Sequence, residues 1–360
     1  MEKVGLITIH ETLNYGSLAQ AFSTYKALES IGVDVELVDY KCDKIWERER
    51  LKNLFESHSI TAIFEWLIVR NANRRKWNNY QDFVHKNMRL SVRVDKYGIE
   101  KLNERYDTFV VGSDIVWGMD ITGHDFNYML QFVKDNKRKL AFSSSVGEKW
   151  SDEDSEQIKI LLSRFEQIST REQLAAEWLG KLINKNIYTT CDPTMLFNAD
   201  FWTTYSRKEN VPENRYVLVY MRDKNKKNIK DAVNYGKKYN IPVYFIKFGI
   251  PELIRGIKLI MPETFYDWIA LFQNAECVFT ASYHGLLFSL YFNTPVFYYN
   301  RGNKSRMISL CTELEILHRE GLDVNIERDI PINWDFVNQK IEEKRKFSID
   351  VLKSFFNENH

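Results

Sequence analysis

Short runs of β-branched and aromatic residues recur along this chain, spaced by stretches in which apolar residues return every three or four positions. The runs predict strands at 4–9, 34–40, 107–112, 139–144 and 187–190, with a shorter one at 167–169. A second series follows at 215–221, 242–248, 276–281 and 295–299. Between the first two strands, Leu18, Phe22, Tyr25 and Leu28 fall on one helical face of 17–31. Such alternation of strand and helix implies parallel sheets covered by helices, an α/β fold. The series breaks at 206–214, a polar stretch with one proline, which divides the chain into two doubly wound, Rossmann-like halves facing across a cleft. The expected domains are 1–207 and 214–330, followed by a charged amphipathic helix in 331–360 that can cross back to the first.

Residues 43–80 interrupt the first series with a helical insert. Leu51, Phe55, Ile63, Phe64, Trp66 and Leu67 give it apolar surface, and Arg70, Arg74, Arg75 and Lys76 follow. Two roles fit: a hairpin covering its own domain, or a basic amphipathic surface in peripheral contact with an anionic membrane. Over 360 residues, Lys+Arg of 50 nearly cancel Asp+Glu of 49. A dedicated nucleic-acid binder would carry a basic excess, so that class is set aside. An anionic ligand must then be met by a few well-placed cations. Four cysteines with no Cys-x-x-Cys fit reduced thiols, not a disulfide framework or structural zinc. With no apolar run of signal-peptide or membrane-spanning length, the expected location is the cytoplasm, up to the inner face of the membrane.

The residues able to carry chemistry gather where strands end. Thr280-Ala281-Ser282-Tyr283-His284-Gly285 joins a strand to a helix, placing a hydroxyl, an imidazole and a glycine at a helix N-terminus that can hold an anion. Asn14-Tyr15-Gly16-Ser17 opens the first helix, as a sugar or anion contact or as a plain capped connection. At Gly112-Ser113-Asp114, Asp114 can hydrogen-bond sugar hydroxyls or cap a helix, and Trp117 can face a sugar ring or fill the core. Arg171 can bind phosphate or carboxylate, or simply pair with Glu172. Cys191-Asp192-Pro193-Thr194 reads as a structural cap. Asp152-Glu153-Asp154 reads as the acidic first turn of a helix, not a metal site. No Gly-x-Gly-x-x-Gly or Walker loop supports a nicotinamide or P-loop enzyme.

In order along the chain, these pieces resemble the polysaccharide pyruvyl transferase family. The matching elements are Asn14-Tyr15-Gly16-Ser17 with Gln20, Val111-Gly112-Ser113-Asp114 with Val116-Trp117, Ser169-Thr170-Arg171-Glu172, Cys191-Asp192-Pro193-Thr194, Ser282-Tyr283-His284-Gly285, and the basic stretch from Arg301 through Arg306 to Arg319. Ile115 and Ala281 depart from the family by replacing polar residues. The resemblance implies a fold similar to two-domain GT-B glycosyltransferases, and phosphoenolpyruvate as donor substrate with no resident cofactor or metal. The acceptor would be a saccharide or lipid-linked oligosaccharide, and the product a pyruvate ketal. Protonation of the enol carbon makes an electrophilic centre, a sugar hydroxyl attacks it, phosphate departs and a second hydroxyl closes the ring. His284 is then the candidate acid and Asp114 the candidate catalytic carboxylate. Arg222 comes first among the donor-binding cations, followed by Arg171, Arg301, Lys304 and Arg306. Two other readings stand beside this one: a nucleotide-sugar glycosyltransferase on the same architecture, and a non-catalytic saccharide-binding relative.

Overall fold

The computed structural model describes residues 2–50, 60–147, 150–221, 226–247, 254–300, 306–321 and 331–357, with the backbone alone described for 60–69, 152–153 and 226–227. In chain order the elements are β1 (Lys3–Ile7), α1 (Tyr15–Ser30), β2 (Asp34–Leu37), α2 (Asp43–Glu49), α3 (Ile60–Asn87), β3 (Thr108–Val111), α4 (Met119–Thr122), β4 (Arg138–Ser144), α5 (Asp152–Ser163), β5 (Gln167–Thr170), α6 (Gln173–Ile183) and β6 (Tyr188–Thr189). There follow α7 (Ala199–Thr204), β7 (Val217–Tyr220), α8 (Lys226–Tyr239), β8 (Val243–Ile246), β9 (Lys258–Ile260), α9 (Phe265–Gln273), β10 (Cys277–Thr280), α10 (Tyr283–Tyr291), β11 (Val296–Tyr298), α11 (Arg306–Glu313) and α12 (Trp334–Ser354).

The strands form two sheets, and every pairing in them is parallel. The first has the order β2-β1-β3-β4-β5-β6, the second β11-β10-β7-β8-β9. Parallel neighbours need crossover connections, and the helices that make them cover both faces. This is why β3 (Thr-Phe-Val-Val) and β10 (Cys-Val-Phe-Thr) are buried along their whole length. In the first unit Phe109 meets Tyr106 and Phe132 edge-on at 5.6 and 5.3 Å, within a core that includes Trp117 and Phe165. In the second, Trp268 and Trp202 close on Phe288 at 4.7 and 4.8 Å. Local chemistry starts the helices: Thr264 and Asp267 form a reciprocal capping box on α9.

Contacts divide the chain into one unit of Met1–Arg50, Asp82–Phe197 and Glu343–His360, and another of Leu51–Gln81 and Asn198–Glu342. The first boundary therefore falls ahead of α7, before the polar stretch at 206–214, because the fully buried Trp202 of α7 packs on Phe288 of the second unit. The insert is also divided. Residues up to Arg50 group with the first unit, and the described residues 60–81 with the second; Leu51 and Phe55, and the side chains of Ile63, Phe64, Trp66 and Leu67, lie outside what the structure describes. The described part, α3, is one continuous helix of 28 residues. Its basic run is not a uniform solvated face: Lys76 is buried, and Arg75 pairs with Glu263 at 3.1 Å. In the first unit, the later part of α12 is held by Arg345 Nε donating to Met195 O at 2.8 Å and by Cys191 N donating to Ser348 Oγ at 2.9 Å. Among the described residues, no helix is long and apolar enough to cross a membrane.

Candidate functional site

In an open parallel sheet, ligands bind beyond the carboxyl ends of the strands, where the strand order reverses. The second sheet reverses between β7 and β10. There Thr280 Oγ1 donates to Tyr220 O at 2.7 Å and accepts from Ser282 N at 3.0 Å, turning the chain sharply into α10. Ser282 caps that helix, its side chain accepting from Gly285 N at 3.4 Å. Gly285 lets the first helical turn close on the sheet. A Cβ there would collide with Thr280 Oγ1 and lie 2.8 Å from Tyr220 Cδ1. His284 sits in this turn at 8% exposure, its ring 5.8 Å from that of Tyr283. The Arg306 guanidinium, at the start of α11, lies 4.7 Å over the Tyr283 ring. Burial pushes the Tyr220 phenol up to about 12, so it remains a protonated hydroxyl at neutral pH. Imidazole, guanidinium and the open end of a helix dipole thus share one strand end, and all three favour an anion. Arg222, Arg301 and Lys304, expected as further cations, lie outside the described residues.

The first sheet reverses between β1 and β3. Thr8 Oγ1 donates across this point to Ser113 O at 2.7 Å, and Gln20 Nε2 donates to Ile9 O at 3.0 Å. A Cβ on Gly112 would stand 2.9 Å from Thr8 Cβ, so glycine permits this approach. Exposed Asn14 caps α1 by accepting from Gly16 N at 2.9 Å, while Tyr15, Gly16 and Ser17 are buried in the first turn. Asp114 takes a left-handed conformation, φ 74, and its Oδ1 accepts from Ile115 N at 2.8 Å. Buried hydroxyls continue the edge: Ser143 Oγ lies 2.9 Å from Thr190 Oγ1, and Ser144 Oγ donates to Gly112 O at 2.9 Å.

One expected contact is corrected by the structure. Trp117 offers no face to a sugar, because it is fully buried, donates Nε1–H to Tyr128 O at 2.8 Å and packs edge-on to Phe165. Arg171 is buried in an ion pair. Its side chain is 2% exposed and Nη1 donates to Asp192 Oδ2 at 2.7 Å, while Asp192 Oδ1 caps Thr194 N at 3.0 Å. Sequence reading also missed a cluster at the ends of β1 and β2. There Arg93 binds Glu11 through both carboxylate oxygens at 2.7 and 2.9 Å, and His10 Nε2 lies 3.6 Å from Asp39. Burial raises the Glu11 carboxyl above its ordinary range despite Arg93; burial also pushes Asp39 upward, but His10 and Arg93 outweigh it and hold that carboxyl low. The adjacent His10-Glu11 after the first strand was the one available signal, since Asp39 and Arg93 are distant in sequence. At these strand ends Glu11 and Asp39 meet Arg93, and Glu172 and Asp192 meet Arg171.

Two parallel sheets, each with polar side chains at its point of strand reversal, define a GT-B-like α/β architecture of Rossmann-like units. Two solved structures are similar to it. UDP-GlcNAc 2-epimerase from Neisseria meningitidis, bound to UDP-GlcNAc, is 11% identical with a TM-score of 0.51, over 99% of this chain and 100% of that one. S. aureus MnaA with UDP is 13% identical with a TM-score of 0.51, over 95% and 87%. The family model for polysaccharide pyruvyl transferase matches residues 14–303, and the chain belongs to that family. No curated protein matches it by sequence.

Proposed function

We propose that the protein transfers the pyruvyl group of phosphoenolpyruvate to a saccharide, forming a pyruvate ketal in polysaccharide biosynthesis. The observation that carries this reading is the anion-favouring end of β10. The end of β10 combines a helix N-terminus of nine residues with His284 and Arg306, a setting for the phosphate and carboxylate of the donor. The first unit's strand ends carry buried hydroxyls and the carboxylates of Asp114 and Glu172, acceptors that suit a ligand rich in hydroxyl groups.

In this scheme Arg306 and the α10 N-terminus hold the donor, and His284 delivers a proton to the enol carbon. Asp114 receives the proton of the attacking hydroxyl as the new C–O bond forms. The bond from that carbon to the phosphate oxygen then breaks, phosphate leaving with the proton held by Asp114, and a second hydroxyl closes the ketal as its proton returns to His284. General acid catalysis of this kind is worth about 10²–10⁴-fold. The route calls for no metal or further cofactor. An acceptor carried on a lipid would place the protein at the inner face of the membrane.

The competing reading is sugar transfer from a nucleotide, the ligand class bound in the two similar structures. Thermal unfolding with phosphoenolpyruvate beside a panel of nucleoside diphosphates separates the two. A ligand at a hundred times its dissociation constant adds about 2.7 kcal/mol of apparent stability. Stabilisation by phosphoenolpyruvate that weakens in His284→Ala is expected. Stabilisation by a nucleotide alone would move the assignment to glycosyl transfer.

A further inference from the structure

Glu172 follows β5 as the N-cap residue of α6, yet its side chain makes no capping hydrogen bond. Its Oε1 accepts from Ser145 Oγ at 2.7 Å. Its Oε2 is buried and has no hydrogen-bond partner among the described residues. The neighbouring guanidinium does not supply one. Arg171 Nε is 3.9 Å from Glu172 Oε1, beyond hydrogen-bond reach, and Nη1 is committed to Asp192 at 2.7 Å. A carboxylate oxygen left in this way lowers stability, and such groups persist where function requires them.

The surroundings select the kind of donor that Oε2 can receive. Ser145 ties two strand ends together, its N–H donating to Asp114 O at 3.1 Å and its Oγ–H to Glu172. Beside it Ser113 Oγ is likewise buried without a partner among the described residues. Glu172 and Asp192 flank the Arg171 guanidinium, which is paired with Asp192. An anion would meet like charge at this edge, whereas a neutral molecule with several O–H groups would fill the missing donors. The Glu172 side chain is 22% exposed as a whole, and the soft terminal torsion of a glutamate can exchange its two oxygens between Ser145 and an incoming group.

Resting on the reading that the acceptor is a saccharide, we propose that Glu172 is a specificity-determining contact for it. One carboxylate oxygen receives a hydrogen bond from a sugar hydroxyl while the other keeps Ser145. Glu172, rather than Arg171, is then the ligand-binding residue of Ser169-Thr170-Arg171-Glu172.

The test is saturation-transfer NMR with a millimolar panel of methyl glycosides on wild type, Glu172→Gln and, as a control on the exposed side of α6, Glu177→Gln. Circular dichroism and the phosphoenolpyruvate-induced shift in Tm are read on the same samples. Wild type and Glu177→Gln are expected to bind at least one glycoside, with affinity about tenfold weaker in Glu172→Gln, where a charge-assisted hydrogen bond is lost. Circular dichroism and the donor shift are expected to be the same in all three. Equal glycoside binding by Glu172→Gln and wild type would overturn the proposal, as would no glycoside binding by wild type. Selective loss in Glu172→Gln, with no Tm shift from phosphoenolpyruvate in any sample, would sink the donor reading and leave the Glu172 contact standing.

Discussion

A methyl group at position 285 would collide with Thr280 Oγ1 and stand 2.8 Å from Tyr220 Cδ1, so Gly285→Ala must open the turn that presents His284. Overpacking of this kind destabilises by about 1–3 kcal/mol. Denaturant unfolding should show that loss, together with a smaller stabilisation by phosphoenolpyruvate; an unchanged midpoint would mean that the turn is not tightly packed. Glu36 makes a separate prediction about pH. Burial alone would raise its carboxyl. Bidentate contact from Arg105 at 2.7 and 2.9 Å, with Tyr106 OH at 2.7 Å, outweighs this and holds it at about 2. Because the folded value is depressed, its stabilisation is present above the ordinary carboxylate range near 4.5 and is lost as pH falls toward 2. After allowance for solvent screening the effect is on the order of 1–2 kcal/mol. Glu36→Gln should therefore be less stable than wild type at pH 6, and the gap should narrow steadily between pH 4.5 and 2; parallel curves would contradict it. Residue identities made Ser282 and Gly285 legible in the sequence, because a cap and a tight turn act within a few positions. They could not settle Trp117 or Arg171, whose partners Tyr128 and Asp192 are brought in by the fold.

The strand ends are where elements convert packing into chemistry. At the start of α6, Arg171 and Asp192 join two strand ends through a contact whose side chains are 2% and 0% exposed. Removing one partner of a buried pair costs about 3–5 kcal/mol. Asp192→Ala should lower unfolding free energy by that amount while preserving the stabilising increment from phosphoenolpyruvate; loss of the increment alone would return Arg171 to the donor site. Truncating Trp202 in α7 should cost about 3–5 kcal/mol, since the ring fills the second unit's core. Most elements were legible because buried parallel strands read as apolar runs such as Thr-Phe-Val-Val. β9 was missed: it is three residues long, lies at the sheet edge, and no residue in it is fully buried. The insert misled for another reason. Its amphipathic composition does not say which unit it joins; tertiary contact groups the described residues 60–81 with the second.

Across the whole molecule, a net charge of +1 conceals an uneven distribution. Carboxylates paired with Arg93 and Arg171 lie at the strand ends of the first sheet, and a helix N-terminus with His284 and Arg306 marks those of the second. Family membership accounts for the motifs from 14 to 303; those at 14–17, 111–117 and 282–285 fall at the two points of strand reversal, and those at 169–172 and 191–194 lie at the ends of β5 and β6. The central claim is pyruvyl transfer, and its most direct measurement follows phosphate release and the methyl signal of a pyruvate ketal by NMR. The reaction would contain phosphoenolpyruvate and a mixed saccharide acceptor pool, with UDP-sugars supplied in parallel. Phosphate and ketal should appear in equal amounts, with the rate falling about 10²–10⁴-fold in His284→Ala. Transfer of sugar from a UDP-sugar, with phosphoenolpyruvate untouched, would contradict the account.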